Sequence, residues 1–206
     1  MDKRIRIGVD VGGTFTDFVL VDEARDQIFT GKRLTTPHDP SAAILEGTAR
    51  LLTEAGTSAS EVHSVVHGTT LVTNTIIERT GAKVGLITTR GSRDTIEMGK
   101  ETRYDLYDLF LESPPTLVPR HLRREVAERI SADGEVLLEF DADGFRTTAR
   151  DLIETEQVEA IAICFMHAYR NPNHERQAKA ILTEEFGATP FTISSDVAPE
   201  IREFER

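Results

Sequence analysis

Near the amino end the chain reads Gly8-Val9-Asp10-Val11-Gly12-Gly13-Thr14-Phe15-Thr16-Asp17. Adjacent glycines let backbone N–H groups approach an anion with no Cβ in between. The hydroxyls of Thr14 and Thr16 add side-chain donors. Asp10 would repel a bare phosphate, so its place here makes sense beside Mg²⁺, held directly or through a water. The chemistry is that of a phosphate-binding turn with a metal-side carboxylate: Gly12, Gly13, Thr14 and Thr16 for the phosphates, Asp10 for the metal. A plain β-hairpin with a Gly-Gly turn is the alternative reading, and the flanking Asp and Thr residues weigh against it. The segment lacks the Lys of a Walker loop and the Gly-x-Gly-x-x-Gly spacing of a dinucleotide fold.

Two further polar clusters could share a cleft with Asp17. His67-Gly68-Thr69-Thr70 precedes a helical pattern, so Thr69, Thr70 and the helix N-terminus could face an anion. Asn74 falls one turn further along the same helix. In Thr88-Thr89-Arg90-Gly91-Ser92-Arg93-Asp94, Arg90 and Arg93 could clamp a carboxylate or phosphate. A solvated turn with a local Arg–Asp pair is the simpler reading of that segment. Arg103 is a weaker candidate of the same kind. The histidines form no zinc pattern: His63 and His67 are four apart in a predicted strand, about 13 Å from one another. Gly-x-Ser-x-Gly is absent, which removes the usual serine-hydrolase elbow.

These residues need elements to hold them. Residues 4–11, 17–22 and 28–34 read as three strands of a meander, with the Gly-Gly turn after the first. A helix follows from Pro40, with Ser41 as its expected cap. Residues 64–67 read as a short strand, 71–79 as a helix ended by Gly81, and 83–88 as another strand. Residues 90–119 read mostly as loop. Residues 123–130 and 135–140 are expected to form a hairpin around Asp133-Gly134. Then come a helix at 145–156, a buried strand at 159–165 holding Cys164, a helix at 173–186 introduced by Asn171-Pro172, and a strand at 191–194. The class is α/β.

The full series is more specific than the turn alone. It runs Asp10-Val-Gly-Gly-Thr-Phe-Thr-Asp17, His67-Gly-Thr-Thr70 with Asn74-Thr75, Leu86-Ile-Thr-Thr-Arg-Gly-Ser-Arg-Asp94, Asn171-Pro172-x-His174-Glu175 and Pro199-Glu-Ile-Arg-Glu-Phe-Glu-Arg206. In this order it resembles the N-terminal region of the hydantoinase A/oxoprolinase family, over nearly the whole chain. The first turn is similar to the first phosphate loop of the actin/hexokinase/heat-shock-70 superfamily. The resemblance implies a ribonuclease-H-like or actin-like ATPase lobe and the use of ATP and Mg²⁺. It also implies a role in ATP-dependent opening of a lactam or hydantoin, with a hydantoinase B-type partner subunit. The family's carboxylase branch implies a ketone substrate instead, and a sugar-kinase-like enzyme sharing only the first loop is a further alternative. Family members continue beyond this region into a second phosphate loop and an adenosine-binding lobe. Residues 1–206 are therefore expected to be one part of a longer chain, catalytically silent alone, with Ile201 and Phe204 wanting cover.

Composition bounds these readings. The chain has 206 residues, 39% of them hydrophobic, and a net charge of −11. That is enough apolar matter for a core, and the acidic surface disfavours nucleic acid and anionic lipid as general partners. One cysteine excludes an internal disulfide and fits a reducing compartment. With no apolar stretch of spanning length and no signal pattern at the start, a soluble cytoplasmic protein is expected.

Overall fold

The structure, a computed structural model, describes residues 5–36, 39–102, 105, 107–112 and 114–206. Arg103 lies outside these residues. The chain divides into two compact units, Met1–Gly81 and Ala82–Arg206.

In the first unit β1 (Ile5–Val11), β2 (Phe15–Asp22) and β3 (Gln27–Leu34) form the expected meander. β4 (Val62–Thr69) lies parallel to β1 on its other side, giving the order β3-β2-β1-β4. Strict alternation buries Ile5, Ile7, Val9 and Val11 while Arg6 and Asp10 stay outside. Phe18 and Leu20 of β2 face the same core, closed by Leu51 and Leu52 of helix α1 (Pro40–Glu54). The packing of α1 is close: a Cβ on Gly47 would lie 2.2 Å from the Phe18 ring. Asp39, not Ser41, caps α1; its side chain accepts from the Ser41 N–H, and Pro40 tolerates the first helical position because its missing N–H is not needed there. Helix α2 (Leu71–Glu78) ends on Arg79 in the left-handed region, at φ 55°, so the reversal falls two residues before the expected Gly81.

The second unit holds a parallel sheet of β5 (Val84–Thr89), β6 (Arg123–Val126), β9 (Ala160–Cys164) and β10 (Phe191–Ile193), in the order β10-β9-β5-β6. A short helix, α3 (Thr95–Met98), interrupts the stretch expected to be loop. The expected strand at 123–130 is two strands. β6 joins the parallel sheet, whereas β7 (Arg129–Ile130) pairs with β8 (Val136–Leu138) around the Asp133-Gly134 turn. The break falls at Ala127 and Glu128 because Glu128 turns into the core, where it accepts from the Thr89 hydroxyl and meets His174 Nδ1 at 2.8 Å. Helix α4 (Ala142–Arg150) starts earlier than expected, because the Asp141 carboxylate accepts from the Gly144 N–H, and it continues as a π-helical turn through Asp151–Thr155. Helix α5 (Asn173–Glu185) is introduced by the Asn171 side chain, which accepts from the Asn173 N–H at 3.1 Å. A last short helix, α6 (Ser194–Val197), was not foreseen.

α5 also supplies the unit's central polar anchor. Glu175 is fully buried and accepts from Phe165 N (2.9 Å), Ser194 Oγ (2.6 Å) and Ser195 N (2.9 Å). One carboxylate thus ties the end of β9 to the start of α6. Cys164 is half-buried, and burial pushes its thiol pKa up, which suits a structural thiol. Ile201 and Phe204 are both exposed. Among the described residues no helix is long and apolar enough to cross a membrane.

Candidate phosphate-binding site

The turn between β1 and β2 is drawn tight by its own backbone. Gly12 N–H donates to the Phe15 carbonyl at 2.9 Å, and a Cβ on Gly12 would lie 2.9 Å from that same oxygen. Behind the turn, Thr35 Oγ1 donates to the Gly12 carbonyl at 2.8 Å, and the Thr16 and Thr35 hydroxyls lie 3.0 Å apart. Thr16 is fully buried. Its hydroxyl therefore braces the turn from inside, which corrects its expected place facing an anion. The reason is register: Thr16 pairs with Val11 and shares that residue's core face, whereas Asp17 pairs with Asp10 on the outer face.

The amino end of α2 is clipped to the same turn. Thr70 donates to the Val11 carbonyl twice, from its N–H at 3.0 Å and from Oγ1 at 3.3 Å. The Thr69 hydroxyl accepts from Leu71 N–H, the first of the helix, at 3.2 Å. Asn74 reaches the loop itself: a Cβ on Gly13 would lie 2.7 Å from Asn74 Nδ2. Parallel pairing sets Gly68 beside Asp10, and a Cβ there would be 3.3 Å from Asp10 Oδ1. His67 pairs with Val9 instead, so alternation directs it to the opposite face from Asp10.

The structure thus brings Asp10, Gly12, Gly13, Thr14, Thr70 and Asn74 to one edge of the first unit and turns Thr16 and His67 away. Gly13 and Thr14 are exposed, and among the described residues their N–H groups have no hydrogen-bond partner. Asp17 is held by Lys32 at 3.0 Å, while Asp10 has no cationic partner among the described residues. Two carboxylates opposed on adjacent strands repel one another. A divalent cation would relieve that, and the oxygen-only donors suit Mg²⁺. No described group of three His, Cys, Asp or Glu residues could hold a metal by itself, so water or phosphate oxygens would complete the shell. Arg90 and Arg93 belong to the second unit. Arg90 is exposed, and the expected Arg–Asp pair in this turn is made by another arginine, Arg120, which holds Asp94 at 2.9 Å and lowers its carboxyl pKa.

The sequence pattern of the hydantoinase/oxoprolinase N-terminal region matches residues 6–186. The chain belongs to this family. Caprolactamase subunit alpha of Pseudomonas jessenii is 37% identical over 211 residues, covering 99% of this chain and 30% of the relative. The crystal structure of the ATP-dependent caprolactamase from Pseudomonas jessenii superposes with TM-score 0.82 at 36% identity, covering 97% of this chain and 29% of that one. A nucleotide-free acetone carboxylase structure superposes with TM-score 0.85 at 32% identity, covering 98% and 30%. The chain therefore spans under a third of the length of these relatives. The hydantoinase/oxoprolinase region shares with them a mixed α/β fold. Of the residues that knit the second unit, His174, Glu175 and Arg206 had been legible only as parts of family motifs and Glu128 not at all; a buried charge gives no signal in a single sequence.

Proposed function

We infer that the first unit holds the phosphates of ATP, with Mg²⁺, for an enzyme that opens a cyclic amide. The observation that carries this is the convergence on one turn: the Gly13 and Thr14 amides and Asp10, none with a partner among the described residues, and the N-terminus of α2 with Thr70 and Asn74. Amides point at an anion, and the helix dipole favours negative charge in the same place. Asp10, with Asp17 beside it, would hold the metal, whose role is to neutralise phosphate charge. The order β3-β2-β1-β4, with a phosphate turn between the first two strands, supports an actin-like or ribonuclease-H-like lobe.

The chemistry follows from the weakness of the amide as an electrophile. Transfer of a phosphoryl group to the carbonyl oxygen makes the carbon easier to attack and provides a better leaving group. The protein's contribution is then positioning and charge stabilisation. The named activity of the caprolactamase relative supports a lactam substrate, and its designation as a subunit supports a partner chain of the hydantoinase B type. The likeness to acetone carboxylase favours a second reading, in which a ketone is activated for carboxylation. ATP turnover by the full chain, measured with Mg²⁺ and either a lactam or a ketone plus bicarbonate, separates the two. Asp10→Ala is expected to lower that turnover at least a hundredfold with the fold intact; unchanged turnover removes Asp10 from the metal site.

A further inference from the structure

The parallel sheet of the second unit has two unlike faces. One carries Ile87, Ile161, Ile163 and Ile193, all buried and packed with Phe145, Leu152 and Leu182 from the helical layer. The other face is built of smaller side chains. Register sets Leu86 beside Ala162, Thr88 beside Cys164 and Thr192 beside Ala162, so alternation points these residues away from the helices. They floor a cavity of about 650 Å³, within the range of small-molecule pockets. Ile96 and Met98 of α3, with Val118 and Phe204, complete a mainly apolar wall.

The topology favours a ligand here. β6 lies on one side of β5 and β9 on the other. Right-handed crossovers leaving in opposite directions put their connections on opposite faces, and a crevice opens past the strand ends where the direction reverses. Arg93 follows β5 and borders the cavity. Its loop is fixed: the Gly91 and Arg93 N–H groups both donate to Glu125 Oε1, at 2.9 and 3.1 Å. Yet Arg93 Nε is buried with no hydrogen-bond partner among the described residues. The other cations at the cavity are engaged. Arg206 donates to Ser194 Oγ at 2.7 Å and to the Phe165 carbonyl at 2.6 Å, and Lys100 pairs with Glu205 at 3.2 Å. The Arg93 Nε is shielded from the cavity, but the Arg93 side chain borders the cavity and makes no ion pair among the described residues, and a carboxylate is the acceptor that guanidinium geometry fits best.

The geometry points to a binding site for a small apolar monocarboxylate. Arg93 takes the carboxylate, and Leu86, Ile96, Met98 and Val118 take the hydrocarbon. The site lies within the second unit and does not depend on the phosphate turn. Calorimetry of the full chain with pentanoate and with pentanamide tests it. Pentanoate should bind about tenfold or more tightly than the neutral amide. Arg93→Gln should abolish that preference, and Ala162→Leu, which fills the floor and keeps Arg93, should weaken both ligands. Circular dichroism checks that each variant is folded; should Arg93→Gln lose its fold, the Ala162→Leu arm decides. Equal binding of acid and amide overturns the proposal. So does undiminished pentanoate binding by either folded variant, absence of binding at millimolar concentration, or inorganic phosphate binding as tightly as pentanoate.

Discussion

Gly13 sits where the turn meets the Asn74 side chain of α2. A β-carbon there would meet Asn74 Nδ2 at 2.7 Å, so any side chain must displace the Asn74 amide from the turn. Gly13→Val is expected to weaken nucleotide binding by about tenfold for each charge-assisted N–H bond it displaces, while the melting temperature changes little because the loop is exposed. Nucleotide binding equal to the parent's, measured by calorimetry, would reduce the loop to a plain turn. That Asp10, the glycines and Thr14 gather at one turn was legible from their adjacent positions at a strand end. The direction of Thr16 was not. It follows from pairing with Val11, and only the alternation that buries Val9 and Val11 could have exposed it. The direction of His67 is set in the same way, by its pairing with Val9.

Elements are held by contacts that local propensity does not register. Alanine is favoured over glycine in a helix by about 1 kcal/mol, so Gly47→Ala in α1 would stabilise the chain if propensity ruled. The Cβ would instead lie 2.2 Å from a buried Phe18 ring, and overpacking costs about 1–3 kcal/mol. Urea unfolding is expected to show net destabilisation; a more stable variant would mean that α1 packs more loosely on the sheet. In the second unit Glu175→Ala leaves Phe165 N–H, Ser195 N–H and the Ser194 hydroxyl without their shared acceptor, a loss of about 3 kcal/mol or more. A urea midpoint within error of the parent's would contradict that bonding. The meander, the helices and the buried strand at β9 were readable, because alternation and helical spacing are local. The split of residues 123–130 was not, since it depends on Glu128 meeting His174 and Thr89 from distant elements.

At the scale of the molecule the chain is two compact units, each with its own sheet and core, and its α/β class was plain from the order of elements. The family was legible too, because its motifs are spaced along both units. The cavity of the second unit was not: its floor of Leu86, Thr88, Ala162, Cys164 and Thr192 comes from three strands far apart in sequence, and only their register aligns the small side chains. The turn after β1 is proposed to bind nucleotide phosphate. An amide NMR titration of the 206-residue chain with Mg-ATP tests it directly, since even weak binding moves the resonances of groups that touch phosphate. Saturable shifts centred on Gly13 and Thr14, with smaller ones at the neighbouring Gly12 and Thr70, and lost in Gly13→Val, are the expected result. Amides at this turn that stay unmoved by Mg-ATP at millimolar concentration, or that move alike in the parent and the variant, would contradict it.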